Sequence, residues 1–265
     1  MLAMDPKAPG AEATPARPAS TVLLVRDAED GMEVFMVVRH HQIDFASGAL
    51  VFPGGSIDKE DFDIAADLSR CGGDHGLDDK ARGFRVAAIR ETFEECGVLL
   101  ARPRGARELV DGARVAEIAT RAQGRSFGEL IAAEDLELAL DQLTPFAHWI
   151  TPVVLPKRFD THFFIAAAPA DQLALHDGSE SVDSVWINPN RALEEAKTGK
   201  YTIIFATRLN VEMLGRQNDV AAAIDAAQTR RIVTVQPEAS KKESGKGFTL
   251  RIPLEAGYGG DVYDS

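Results

Sequence analysis

The 265-residue sequence is poor in cysteine and contains no long apolar run. Its two cysteines, Cys71 and Cys96, are too few for the disulfide framework of a small secreted domain, and they lie too far apart to form a zinc motif. No apolar segment approaches the ~20 residues that a membrane span requires. We therefore expect a protein of a reducing compartment, and we predict a cytoplasmic location.

Basic residues are also scarce, because 29 Lys and Arg face 41 Asp and Glu, a net charge of −12. This acid excess argues against binding to nucleic acid, whose phosphate backbone requires a basic surface. It argues equally against binding to anionic membranes. A small phosphate-bearing substrate stays compatible, since carboxylates bind phosphates through a divalent metal ion. We expect such a small-molecule partner, and a monomer or a homodimer.

Both ends of the chain are expected to be tails around a single domain at 20–260. Residues 1–19 are mostly Ala, Pro and Gly, without the apolar core of a signal peptide, which predicts a disordered segment. Residues 261–265 are predicted to be a short tail, and their sequence is not a peroxisomal Ser-Lys-Leu signal.

Short apolar runs and amphipathic stretches alternate along the chain. Strands are predicted at 21–26, 32–39, 49–52, 160–168, 184–187, 231–235 and 248–254. Helices are predicted from 83 to about 100, over most of 106–143, at 189–198 and at 206–218. Residues 62–82 are polar and contain glycine, which favours an inserted loop with a short helix at 64–68. Interspersed strands and helices indicate an α/β or α+β fold with a mixed sheet.

The helix predicted from residue 83 carries the strongest chemical signal. Successive helical residues turn by about 100°, which groups Glu91, Glu94 and Glu95 on the face opposite Phe93. We call these three the box carboxylates. Like charges this close repel one another unless a cation holds them, and Mg²⁺ commonly joins carboxylates to substrate phosphates. The alternative interpretation is a solvated acidic face on which Arg90 pairs with Glu94.

A glycine pair upstream favours the metal site over the solvated face. Gly54 and Gly55 follow a predicted strand, where glycine lets the backbone turn sharply and approach a ligand or a helix. Together, the glycine pair and the acidic helix resemble the signature of the Nudix hydrolases. That signature is Gly, five residues, Glu, seven residues, Arg-Glu, apolar, any residue, Glu-Glu, any residue, Gly and apolar. The chain matches its second half at Arg90, Glu91, Glu94, Glu95, Gly97 and Val98.

The chain departs from this signature at two positions. Thr92 stands where the pattern has an apolar residue. Asp61 stands at the first Glu position, and 28 residues rather than seven separate it from Arg90, an insertion of about 21. We interpret Asp61 as a loop residue.

The insertion resembles that of a Nudix subgroup typified by the peroxisomal coenzyme A diphosphatase. This subgroup also has an Arg followed by Gly-x-x-x-Phe-Pro-Gly-Gly, which matches Arg39 and residues 48–55. Further segments are similar at 148–152, 158–161, 186–189 and 250–258, so the resemblance covers roughly 20–260. It implies a Nudix α/β/α sandwich with a mixed sheet and additional helices at 106–143.

The resemblance also implies a set of site residues. The cofactor it implies is Mg²⁺ or Mn²⁺, bound by the box carboxylates and the backbone of Gly55. The catalytic residues that it implies are Glu94, Glu95, Arg90 and Glu180. Glu180, in the loop before Trp186, would be an extra metal ligand or base. Substrate contacts fall to Arg39, Arg158 and Gly54. His162, within a predicted strand, and Cys96, on the apolar helix face, are interpreted as structural.

The activity implied by the resemblance is metal-dependent hydrolysis of a diphosphate linkage, that is, a Nudix diphosphatase (pyrophosphohydrolase). Within the subgroup the substrate would be coenzyme A or an acyl-coenzyme A. Two alternatives stay open. One is hydrolysis of another nucleoside diphosphate compound, such as a dinucleotide cofactor or a nucleotide sugar. The other is a non-catalytic Nudix-fold module that binds a nucleotide.

Overall fold

The computed structural model describes residues 14–39, 48–73, 76–172, 174, 181–242 and 247–264. Within this part, β-branched and aromatic runs form the main strands, since such side chains pack well on a pleated sheet. The fourteen strands of the described part are β1 (Arg17–Ala28), β2 (Gly31–Arg39), β3 (Leu50–Val51), β4 (Gly54–Ser56), β5 (Cys71–Gly72), β6 (Ala101–Pro103), β7 (Leu136–Ala139), β8 (Thr144–Ile150), β9 (Phe159–Ala167), β10 (Ser181–Ile187), β11 (Thr234–Val235), β12 (Glu238–Lys241), β13 (Phe248–Arg251) and β14 (Val262–Asp264).

Seven α-helices complete the described part. They are α1 (Lys59–Ala66), α2 (Asp79–Cys96), α3 (Gly112–Arg121), α4 (Phe127–Ala133), α5 (Pro189–Lys197), α6 (Phe205–Leu214) and α7 (Val220–Thr229). Several helices are capped at their N-terminus by a side chain that accepts a hydrogen bond from a backbone N–H of the first turn. Asp78 does so for α2, Asp111 for α3 and Ser126 for α4. Among the described helices, none has both the length and the apolar character needed to cross a membrane.

Strand β1 is the centre of an eight-stranded mixed sheet. The strand order is β10-β2-β1-β9-β8-β11, with β3 added to β2 and β4 added to β1. On one side β1 pairs in parallel with β9, from Arg17 opposite Phe159 to Val25 opposite Ala167. On the other side its first half pairs with β4 and its end pairs with β2, both antiparallel. Two small three-stranded sheets, β5-β7-β6 and β12-β13-β14, lie outside this main sheet.

Helices cover both faces of the main sheet and create two hydrophobic cores. Because side chains alternate along a strand, Val22 and Leu24 of β1 enter the core beneath α2, whereas Leu23 and Val25 enter the opposite core. The second core also takes side chains from α5, α6 and α7. This arrangement confirms the predicted α/β/α sandwich with a mixed sheet.

Some predicted boundaries differ from the structure at the edges of the domain. Strand β1 begins at Arg17, inside the predicted N-terminal tail, because its ladder with β9 extends that far. Residues 262–264, predicted as a tail, form β14 and pair with β13. The predicted loop at 62–82 contains most of α1, all of β5 and the first turn of α2.

Other elements differ in kind from their prediction. The segment 106–143 contains α3 and α4 as expected, but β7 at its end is a strand that joins a small sheet. Strand β8 and helix α7 were not predicted. Pro145 lies within β8, beside a register shift between Pro145 and Ala147 where the ladder is irregular.

Gln172 is a buried side chain that holds the segment following α2. Its Oε1 accepts a hydrogen bond from the N–H of Leu99 at 2.9 Å. Its Nε2 donates to the carbonyls of Leu99 at 3.2 Å and Val110 at 2.8 Å. One amide therefore satisfies three backbone groups of the chain that leads out of α2.

Replacing Gln172 by Ala is expected to lower the free energy of unfolding by about 2–4 kcal/mol, because it leaves buried backbone groups without partners. Urea unfolding followed by circular dichroism measures this loss. The matched control is Gln142→Ala, whose amide donates only to the exposed Asp141. That control should change the stability by less than about 0.5 kcal/mol, and equal losses in the two variants would contradict the role of Gln172.

Candidate active site

The rotation of helix α2 is set by its apolar side chains. Val86, Ile89 and Phe93 are buried in the core beneath the sheet, as their spacing predicts. The helix ends at Gly97, which adopts a left-handed conformation and donates its N–H to the carbonyl of Phe93. With this face buried, the box carboxylates and Arg90 lie on the side that meets β4 and α1.

The glycine pair of β4 lets the backbone approach β1 and α2 closely. Gly54 has a φ of +152°, and a Cβ there would lie 2.3 Å from the carbonyl oxygen of Ser20. A Cβ on Gly55 would lie 2.5 Å from Oε1 of Glu91. The N–H of Gly54 donates to Oε2 of Glu95 at 2.9 Å. The glycines therefore bring the β4 backbone into contact with two box carboxylates.

Arg90 is the buried centre of this site. Its Nε and Nη2 bind the two carboxylate oxygens of Asp61, each at 2.9 Å. Its Nη1 donates to Glu91 at 2.8 Å and to Glu94 at 2.9 Å, and Nη2 also donates to the Ser56 carbonyl at 3.0 Å. All five N–H groups of the guanidinium thus have an acceptor, drawn from α1, α2 and β4.

Asp61 corrects the prediction that this position is a loop residue. It belongs to α1 and is completely buried. Besides the two bonds to Arg90, its Oδ2 accepts the N–H of Asp58 at 2.8 Å, which caps the helix. A buried carboxylate requires such compensation. The insertion conceals the pairing in the sequence because it separates Asp61 from Arg90 by 28 residues.

One positive charge, that of Arg90, lies among several carboxylates of the site. Burial acts to lower the pKa of Arg90, but the bonds from Asp61 and the charges of Glu91 and Glu94 outweigh it, so the pKa lies above its usual value. Burial raises the pKa of Glu94, although Arg90 acts in the opposite direction. The Glu94 side chain keeps 48% of its surface exposed. Glu94 is thus a carboxylate that a cation arriving from solvent would stabilise in its charged form.

The remaining predicted site residues have different surroundings. Arg158 is buried and donates to the carbonyls of Thr14 at 2.7 Å and Thr151 at 3.1 Å, which secures the chain entering β1. Its predicted contact with substrate phosphate stays a prediction. Only the backbone of Arg39 is described, at the end of β2, and Glu180 lies outside the described residues.

A second group of candidate metal ligands was missed by the sequence reasoning. His148, Asp160 and His162 lie together on β8 and β9, although His162 was interpreted as structural. The spacing of Asp160 and His162 within a predicted strand was the available signal. His148 carried none, because β8 was not predicted. By contrast, the interpretation of Cys96 as a core residue is confirmed, since the residue is completely buried.

Comparisons with known proteins agree with this geometry. The family model described as the NUDT19 Nudix domain matches residues 73–206, half of the chain. The acyl-coenzyme A diphosphatase NUDT19 of Xenopus laevis is 28% identical over 64% of this chain and 56% of its own length. The human protein of the same name is 28% identical over 62% of this chain and 56% of its own length. This chain therefore spans about half the length of these curated relatives.

A solved structure extends the similarity to three dimensions. The crystal structure of a Nudix hydrolase from Alicyclobacillus acidocaldarius superimposes with a TM-score of 0.65 and is 26% identical. The similarity covers 80% of this chain and 96% of that protein.

Replacing Asp61 by Asn is expected to lower the free energy of unfolding by about 3 kcal/mol. The new amide would point its N–H₂ group at donors from Arg90 or Asp58, and the buried arginine would lose its paired charge. Chemical denaturation measures the change. The matched control, Asp63→Asn on the same helix, removes only an exposed pair with Lys59 and should cost less than about 1 kcal/mol. Similar losses in both variants would show that the Asp61 pair does not support the fold.

Proposed function

This chain belongs to the family of NUDT19 Nudix domains, and on that premise we propose that it hydrolyses a diphosphate linkage in a nucleoside diphosphate-type substrate. The proposed substrate class is coenzyme A or an acyl-coenzyme A, the class named for the curated relatives. The activity of the relatives is carried over to this chain only as a proposal, because the match covers 56% of their length. A cytoplasmic location and a monomeric or homodimeric state belong to the proposal as predictions from the sequence.

The donor atoms of the site fit a hard divalent cation. The box carboxylates offer oxygen ligands only, the type that Mg²⁺ and Mn²⁺ prefer. We assign the ion to Glu91, Glu94 and Glu95, with the backbone of Gly55 as a further predicted contact. When bound, such an ion neutralises a diphosphate and lowers the pKa of an attacking water.

The protein's own residues set the orientation of the three box carboxylates. Arg90 offsets the repulsion between Glu91 and Glu94, and its bidentate pair with Asp61 fixes the guanidinium plane. The N–H of Gly54 orients Glu95. This convergence on Arg90, next to a glycine pair that brings the β4 backbone against Glu91 and Glu95, is the observation that carries the proposal.

Two alternative functions differ from this proposal in what the protein cleaves or binds. The first is a hydrolase of a dinucleotide cofactor or nucleotide sugar, which would use the same carboxylates and differ only in the substrate contacts. The second is a non-catalytic nucleotide-binding module. The presence of all three box carboxylates and of a paired Arg90 favours catalysis over binding alone.

We expect Glu94→Gln and Glu95→Gln each to reduce turnover more than about 100-fold, because even outer-shell partners of a catalytic metal contribute 10–100-fold. Phosphate-product release would be measured for coenzyme A, acyl-coenzyme A, NADH, ADP-ribose and a nucleotide sugar. Each reaction would be run with Mg²⁺, Mn²⁺ or EDTA. The Glu94→Gln variant should keep the wild-type melting temperature without metal, because the charged carboxylate is disfavoured by burial.

The matched control is Glu117→Gln, an exposed carboxylate on α3 that should leave the rate unchanged. Cleavage of a different member of the panel would keep the mechanism and replace the substrate class. Wild-type rates in either box variant would refute the ligand assignment. Binding of a nucleotide without any cleavage would support the non-catalytic module instead.

A further inference from the structure

We propose that His148, Asp160 and His162 form a second divalent-metal site, selective for zinc-like ions and separate from the box carboxylates. The three residues lie on neighbouring antiparallel strands. His148 of β8 is directly opposite His162 of β9, and Ile150 is opposite Asp160. Residues directly opposite, or two apart on one strand, share a face of the sheet. The sheet therefore points all three side chains to the same side.

The distances among these side chains suit a single ion. One ligand atom from each residue lies within 4.8 Å of the other two. This spacing is close to the ~4 Å limit that metal–ligand bonds of about 2.0–2.2 Å allow between ligand atoms. Nε2 of His148 lies 2.5 Å from Oδ1 of Asp160, and the two imidazole rings stack with centroids 4.2 Å apart. Binding an ion would draw the three ligand atoms closer together.

The surroundings of the two imidazoles favour coordination. Nδ1 of His148 lies 2.7 Å from Oγ1 of Thr234, which is paired with His148 in the ladder between β11 and β8. The short contact between Nε2 of His148 and the Asp160 carboxylate requires a proton on Nε2, donated to Asp160, so Nδ1 accepts the Thr234 hydroxyl. An ion that binds between Nε2 and Asp160 would displace this proton. Burial, with His148 nearby, lowers the pKa of His162 to about 4.

The cluster lies apart from the proposed active site along helix α2. The ring of His162 contacts Phe84, with centroids 4.0 Å apart, near the beginning of that helix. Glu91 follows Phe84 by seven residues, about 10 Å along the helix axis. The ligand sets also differ, because two imidazoles and one carboxylate select zinc-like ions, whereas an all-oxygen set selects Mg²⁺ or Mn²⁺. Three protein ligands leave a fourth tetrahedral position open.

The site can be tested with Co²⁺ as a visible probe and Zn²⁺ as its competitor. The full chain, without a histidine tag, would be titrated in excess Mg²⁺ so that the box carboxylates are saturated. We expect one equivalent of Co²⁺ to bind with a d–d absorption spectrum typical of four-coordinate nitrogen and oxygen ligands, and Zn²⁺ to displace it. Zn²⁺ should also raise the melting temperature of the protein, since it binds the folded state.

Four variants decide between a built site and adventitious binding. Asp160→Asn and His162→Gln should each weaken Co²⁺ binding by at least about tenfold, whereas Glu94→Gln should bind as the wild type does. A His75→Gln/His176→Gln double variant, which changes histidines outside the described residues, should also bind normally. Circular dichroism without metal checks that each variant folds, and if His162→Gln does not, the Asp160→Asn comparison decides.

The proposal is overturned if no Co²⁺ binds in excess Mg²⁺, which would leave the cluster as a hydrogen-bonded element of the sheet. It is also overturned if the Asp160 and His162 variants bind as the wild type does. Because the readout is ion binding, its result is independent of diphosphate hydrolysis. Loss of binding in Glu94→Gln would instead place the ion at the box carboxylates.

Discussion

The buried guanidinium of Arg90 is the interaction on which the proposed active site depends. It joins three separate parts of the chain, since its acceptors are Asp61 of α1, two glutamates of α2 and the backbone of β4. Removing a charged group from water is costly unless it is paired and fully hydrogen-bonded. This requirement makes the position of α1 relative to α2 a precondition for holding the box carboxylates together.

The two proposed metal sites differ in the charges and the types of ligand that they offer. At the box, Arg90 pairs with Glu91 and Glu94, and partial burial already disfavours the charge on Glu94. An ion that binds there would relieve repulsion. On β8 and β9 the His148 imidazole is hydrogen-bonded and stacks on that of His162, and a single carboxylate supplies the negative charge. The first set favours hard ions, and the second favours zinc-like ions. A protein with a net charge of −12 thus presents two chemically distinct places for cations.

Sequence reasoning worked best where the signal was local. The period of Val86, Ile89 and Phe93 predicted both the helix and the face carrying the glutamates, and all three are buried. The strands flanking the turn at 29–30 were also predicted, although β1 proved longer. Prediction failed for some strands that form by pairing with a neighbouring strand. Strand β8 was not predicted although it pairs along its length with β9, and residues 262–264, predicted as a tail, form a strand that pairs with β13.

Local sequence therefore accounts for the amphipathic helix α2, the glycine pair before it and the family resemblance, because these depend on residues close together in the chain. Only the tertiary structure shows that Asp61 is the buried partner of Arg90. The two residues lie on either side of the insertion, and no local sequence pattern predicts how the insertion folds. The tertiary structure likewise decided that His148 faces His162, since strand register follows from the packing of the whole sheet. Contacts between distant segments depend on how side chains pack in the two cores. The free energy of such a contact is therefore gained or lost only when the chain folds.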